Sequence, residues 1–291
     1  MTRGLPLEPT RTHRDENFPV ASLLIPPRHR AVILAFYRFA RGADDVADHP
    51  SLVPEAKLAA LAQFEATLLG HTDVVEAAIP LRTALATRKL PPRHALDLLS
   101  AFRQDVTKSR YADWADLMNY CAYSAAPVGR FVLDVHGESE SNWPASDALC
   151  SALQVINHLQ DCGADYRNLD RIYIPQDALA AHNLSVQVFG ADKASPALRA
   201  VLRGVVERNA SLVAHGATLP GRLRNVRLRL ETAVIARLAH KLNRRLLERD
   251  PLSERVHLCA VEAGLSSALG MAEGLVTLLR PNLVFSLRGD E

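Results

Sequence analysis

Most of the seventeen prolines in this chain fall between stretches of apolar residues repeated at helical spacing, not inside them. A proline in a helix interior costs about 3 kcal/mol or more, so these gaps mark where helices stop. Between them Leu and Ala dominate, and no apolar–polar alternation of period two persists, which argues against strands as building elements. The spacing predicts helices near 28–48, 52–70, 73–87, 92–107, 113–137, 145–165, 196–216, 220–249 and 253–279, with a loop at 167–175. There is no internal repeat, low-complexity tract or Gly/Ser linker, and 291 residues are within reach of one large helical domain. Such a domain buries roughly three quarters of its unfolded surface. The expected fold is therefore all-α, a single-domain antiparallel bundle over 16–291 with a central cavity. A flexible arm over 1–15, where Pro6 and Pro9 sit in sequence of little apolar content, is expected to precede it.

Two of these helices carry acidic residues at four-residue steps. In SALQVINHLQDCGADYRNLDRIYIP, residues 151–175, Asn157, Asp161 and Asp165 are four apart among Leu153, Val155, Ile156 and Leu159. On a helix that spacing puts the polar groups on one face. Two aspartates one turn apart repel by about 0.2–0.5 kcal/mol in an isolated helix, and by more on burial unless a positive charge lies between them. In FYRFARGADDVAD, residues 36–48, Tyr37, Arg41, Asp44 and Asp48 follow steps of four, three and four, with Asp45 beside them. One Asp-x-x-x-Asp is weak, since most such pairs are solvated; two on separate apolar helices point to a hard divalent cation. Mg²⁺ takes oxygen ligands, keeps several waters and is usually held by one or two carboxylates together with substrate phosphate oxygens. Two facing aspartate helices would supply that arrangement for a diphosphate.

Other chemistries are disfavoured by what the sequence lacks. Net charge is +2, so nothing global draws the chain to nucleic acid. Residues 196–250 hold twelve Lys or Arg against four acidic residues, readable as a solvated face, as diphosphate contacts or as attraction to anionic lipid. Cys121, Cys150, Cys162 and Cys259 show no Cys-x-x-Cys spacing and read as reduced core residues of a cytosolic protein. The first thirty residues lack the apolar core of a cleavable signal, and the apolar run at 31–37 is far short of a bilayer span. No Gly-x-Ser-x-Gly, Gly-x-Gly-x-x-Gly or His-x-x-x-His pattern occurs.

Several side chains have two readings each. Arg41 can pair with Asp44 or offer its planar fork to a phosphate oxygen. Tyr37 and Tyr120 are either core aromatics or ring faces open to a cation, an attraction of about 2 kcal/mol or more when desolvated. Pro127 bends a helical stretch, and Gly129 leaves room for close approach by a chain. Asn157 can serve a metal, a phosphate or an interhelical hydrogen bond. Asp105, alone on an apolar helix, is expected to orient a basic partner and not to be catalytic. Arg237, Lys241 and Arg244 or Arg245 share a face that is either solvated or on the diphosphate rim. His158 reads as a supporting or core residue.

Taken together these motifs resemble the head-to-head trans-prenyl synthases, the family of squalene, phytoene and dehydrosqualene synthases. The first is Tyr37-x-Phe39-x-Arg41-x-x-Asp44-Asp45-x-x-Asp48; the second is Gln154-x-x-Asn157-x-x-x-Asp161-x-x-x-Asp165, followed by Arg171-Ile172-Tyr173-Ile174-Pro175. Tyr120-Cys121 with Pro127-Val128-Gly129 resembles the family's middle motif, and the likeness runs over about 16–280. ENFPVAS at 16–22, FRQDV at 102–106 and SAAPVGRFVL at 124–133 look most like the bacterial hopanoid-pathway branch, which makes hydroxysqualene from presqualene diphosphate. One departure stands out: many relatives carry Arg immediately before the first Asp of the second motif, where this chain has Gln160.

The resemblance implies an isoprenoid-synthase-type bundle whose Asp44, Asp48, Asn157, Asp161 and Asp165 hold two or three Mg²⁺ ions. It implies catalytic roles for Asp44, Asp161 and Tyr120, and substrate contacts from Ser22, Tyr37, Arg41, Gly129, Asn157, Gln160, Arg171 and Tyr173. The expected reaction is ionisation of presqualene diphosphate, rearrangement and capture by water, with no NADPH. The alternative is condensation of two farnesyl diphosphates to presqualene diphosphate, squalene or a carotenoid precursor. A non-catalytic helical scaffold would not need both acidic motifs whole. The expected partner is presqualene or farnesyl diphosphate, with handover to other squalene-pathway enzymes and contact with the membrane surface left open; nucleic acid is not among them. The expected location is the cytoplasm, with peripheral contact at the inner face of the membrane left open.

Overall fold

The computed structural model describes residues 24–279. Thirteen α-helices follow in order among them: α1 (Pro27–Ala47), α2 (Pro54–Leu68), α3 (Ile79–Arg88), α4 (Arg93–Thr107), α5 (Trp114–Ser124), α6 (Ala126–His136), α7 (Trp143–Gln160), α8 (Cys162–Leu169), α9 (Gln176–Ala180), α10 (Pro196–Gly216), α11 (Leu219–Arg222), α12 (Val226–Glu248) and α13 (Ala260–Leu279). Among the described residues there is no strand, only an isolated parallel bridge between Arg110 and Ile172. The all-α expectation holds; the expected arm over 1–15 and Ser22 lie outside the described residues. No helix of the described residues is long and apolar enough to cross a membrane.

Several boundaries differ from the sequence reading: the helices expected from 73 and 253 start at Ile79 and Ala260, and three further differences shape the site. The helix expected over 113–137 is two, because α5 ends at Ser124, Ala125 leaves helical geometry at φ −122° and ψ −49°, and Pro127 starts α6 in its first turn, where its missing N–H costs nothing. The helix expected over 145–165 breaks at Asp161, and the part of 167–175 expected as loop begins only after Leu169. The helix expected from 220 starts at Val226, where the side chain of Asn225 accepts from the Leu228 N–H. Glu138, buried, accepts from the N–H groups of Arg224 and Asn225 and so ties this start to the end of α6.

Apolar side chains collect into two cores. One joins α1 to α4 with Phe131 and Val135 of α6. The other runs through α5, α7, α10 and α12 and takes in Leu133 of α6 and Ala101 of α4, so α4 and α6 face both. At Gly216 a Cβ would lie 2.7 Å from the Leu149 Cα; only glycine lets α10 seat this closely on α7, the helix that leads through Asn157 into the second acidic motif.

Candidate active site

The mouth of the site is built where α1 ends. Asp44 and Asp48 lie in and just after its last turn, Asp48 donating its N–H to the Asp44 carbonyl at 2.9 Å. Carboxylates there add to the negative end of the helix dipole, so the position gathers cations. Lys57 Nζ donates to the Ala47 carbonyl at 2.8 Å, and Arg171 Nη1 meets Asp48 Oδ1 at 2.6 Å. Arg41 sits between two carboxylates, 3.0 Å from Asp44 Oδ2 and 2.6 Å from Asp45 Oδ1. Both readings of Arg41 stay open, since the guanidinium that pairs with Asp44 here stands at the edge a phosphate would reach.

Asp44 keeps 30% of its side chain accessible and Asp48 31%; they face open space, yet deep among protein atoms. Burial first, then the Asp48 charge one turn away, push Asp44 up to about 7, against the pull of Arg41. A carboxyl raised in this way binds its proton more tightly folded than unfolded. Its contribution to stability is therefore lost as pH rises from about 4 to about 7.

The second motif is kinked where it was expected to be straight. Asp161 has φ −100° and ψ 3°, in the sparsely populated bridge region where active-site residues collect. Two hydrogen bonds span the break, from the Asp161 N–H to the Asn157 carbonyl at 2.9 Å and from the Asp165 N–H to the Asp161 carbonyl at 2.8 Å. Past α8 the chain turns through Asp170 at φ +48°. The Arg171 N–H then bonds the Asp165 carbonyl and the Ile172 N–H the Ser109 carbonyl. This lays Arg171 and Tyr173, both buried, beneath the mouth.

There the structure assembles a group that local patterns hid. Asp105 on α4 accepts from the Tyr120 hydroxyl at 2.8 Å and from the Tyr173 hydroxyl at 3.2 Å. Tyr111 stacks on Tyr173 at 5.3 Å, and His158 stacks on its ring at 3.5 Å and 12°. Burial, then the Arg171 charge, drives His158 down to about 3, so the imidazole is neutral. Burial also raises Asp105 to about 6, opposed first by Arg171. The basic partner expected for Asp105 is thus present as Arg171, but its direct bonds go to two phenols. Tyr111 had no local signal as a site residue.

Gly129 and Asn157 line an apolar cavity of about 190 Å³ between α6, α7, α11 and α12. From Asn157 to Ser146 the α7 wall runs about 16 Å at 1.5 Å per residue. The room left at Gly129 is taken by α7: a Cβ there would lie 2.3 Å from Ser146 Oγ and 2.6 Å from Cys150 Sγ. Buried Glu231, unnoticed in the sequence, lines the same cavity. Gln160 turns elsewhere, its amide donating to the Val256 carbonyl, which sets a structural role beside the expected substrate contact. Tyr37 is half-buried on α1. Arg237 and Arg245 pair with Glu273 and Glu262 of α13, so neither solvent nor the mouth claims them. Among the described residues no three His, Cys, Asp or Glu side chains form a ready-made metal cluster.

Comparison with known proteins gives one consistent result. Residues 11–262 match the family Squalene/phytoene synthase. The chain is 54% identical to the hydroxysqualene synthase of Rhodopseudomonas palustris over 276 residues, 95% of this chain and 94% of that protein. It is 50% identical to the hydroxysqualene synthase of Zymomonas mobilis, covering 84% and 83% of the two chains. Among solved structures it is similar to squalene synthase HpnC from Alicyclobacillus acidocaldarius, with TM-score 0.65 and 29% identity over 91% of this chain and 89% of that one. A dehydrosqualene synthase in complex with ligand shares the fold at TM-score 0.73 and 19% identity, over 91% and 92% of the chains.

Proposed function

The chain belongs to the squalene/phytoene synthase family, and from that premise we propose that this isoprenoid synthase ionises presqualene diphosphate, lets the cation rearrange and captures it with water as hydroxysqualene. The observation that carries the substrate choice is the identity of about half of all residues with hydroxysqualene synthases, over nearly the full length of both chains. Asn157 of the second acidic motif lines the apolar cavity, which supports a diphosphate at that end and a hydrocarbon along the rest.

The donor set suits Mg²⁺: oxygen ligands only, and an Asp44 whose charge is opposed by Asp48 more than Arg41 relieves it. Asp44, Asp48, Asn157, Asp161 and Asp165 would hold two or three ions, which when bound neutralise the leaving diphosphate as Lewis acids. Arg41 and Arg171 offer planar forks to the same phosphate oxygens. Tyr120, held by Asp105, is the ring that would meet positive charge, and the apolar walls keep out bulk water that would quench the first cation. The final water must be a positioned one, and no reductant enters the reaction.

If this reading holds, presqualene diphosphate and Mg²⁺ in ¹⁸O-labelled water yield a C30 alcohol carrying the label, at a rate indifferent to NADPH. Squalene made only with NADPH, or an unlabelled hydrocarbon as main product, overturns it. The pKa shifts add a separate expectation. In EDTA the melting temperature falls as pH rises from 5 to 8, through the window set by Asp44 and Asp105. Mg²⁺ then stabilises more at pH 8 than at pH 5; equal stabilisation at both would count against Asp44 as a ligand.

A further inference from the structure

The geometry points to the outer face of α13 as a docking surface for an anionic lipid bilayer. Its inner face is fixed on α12: a Cβ at Gly270 would lie 2.7 Å from the Val234 Cα, and one at Gly274 2.9 Å from Leu230 Cδ2. On the opposite side Leu265, Leu269 and Val276, at steps of four and seven, are 62%, 48% and 51% exposed, with Leu275, 52% exposed, at their flank. They form a continuous apolar stripe on one side of a 20-residue helix, the pattern of a helix lying in a membrane interface. The two carboxylates of α13 point the other way, Glu262 to Arg245 and Glu273 to Arg237, so the stripe carries no charge to repel an anionic surface.

Charge complementarity selects the occupant. Where the last turns of α13 meet α11 and the start of α12, Val226 is 45% exposed, flanked by exposed Arg222, Arg224 and Arg227. Arginines beside apolar side chains suit lipid phosphates above acyl chains; a second copy of this face would bring like charges together. The opposite side of the same α11–α12 corner, through Leu219, Leu228 and Ile235, lines the apolar cavity. A bilayer on α13 would therefore lie one helix away from the cavity that, on the proposed function, takes the substrate's hydrocarbon.

Flotation of the full-length chain with vesicles tests this without reference to turnover. Binding is expected to vesicles of phosphatidylcholine with phosphatidylglycerol, and at least tenfold weaker to phosphatidylcholine alone or at high salt. The pair Leu265→Gln and Leu269→Gln, both exposed, lowers binding more than about tenfold. Arg224→Gln and Arg227→Gln each lower it about fivefold, on mixed vesicles only. Circular dichroism melts confirm that the variants fold. Absence of flotation, or undiminished binding of the leucine pair, overturns the assignment. So does a reversible dimer in sedimentation that the leucine pair dissolves, which would make the face an interface between copies.

Discussion

Replacing Asp44 or Asp161 by alanine lowers turnover of presqualene diphosphate about 10³-fold. The figure follows from losing about 4 kcal/mol of stabilisation of the departing diphosphate with each carboxylate. The same substitution at Asp44 does not weaken the fold at pH 8. Its charge there is held against burial and against Asp48, and Arg41 retains Asp45 at 2.6 Å. Loss of rate with an unchanged or higher melting temperature therefore separates ligand loss from unfolding. Turnover within a few-fold of the unsubstituted chain in either variant would remove the acidic mouth from the mechanism.

Asp105→Asn should cost about 10- to 10²-fold in kcat. The carboxylate accepts from two phenols at once; an amide offers one acceptor oxygen and one donor group, so either Tyr120 or Tyr173 must turn from donor to acceptor and exchanges a charge-assisted bond for a neutral one, at about 1–3 kcal/mol. The hydroxyl direction of both rings is set by this one residue, and KM should move less than kcat because the diphosphate contacts lie elsewhere. Stability gives a second readout. Asp105, raised to about 6, makes the fold lose stability between about pH 4 and pH 6, and the asparagine variant should lack that part of the decline. Equal kcat with a flattened stability profile would leave Asp105 a structural residue only.

How much of this was legible in the chain depends on how far apart its partners lie. The Tyr37 to Asp48 stripe could be read because all of it sits within three turns of one helix, where spacing alone assigns a face. The Asp105 acceptor could not, since its donors lie 15 and 68 residues away and meet only when α4, α5 and the segment after α8 pack together. The kink at Asp161 escaped for a different reason: neither it nor its immediate neighbours is the proline or glycine that usually announces a break. Gln160 was read by its place in a motif, whereas its direction is set by the chain near Val256, ninety-six residues on. The basic face of α12 looked solvated because Glu262 and Glu273 belong to a helix whose placement the pattern of α12 cannot state.

The two cores have a consequence of their own. The first acidic motif hangs from the core of α1 to α4 and the second from the core of α7, α10 and α12, joined across the mouth by the Arg171–Asp48 pair. Each half can open as a cooperative unit with its own free energy, and a ligand gripping both motifs turns two such units into one. A ligand held by both motifs would then carry part of the cost of keeping the halves in register, leaving the protein without it the more loosely joined of the two.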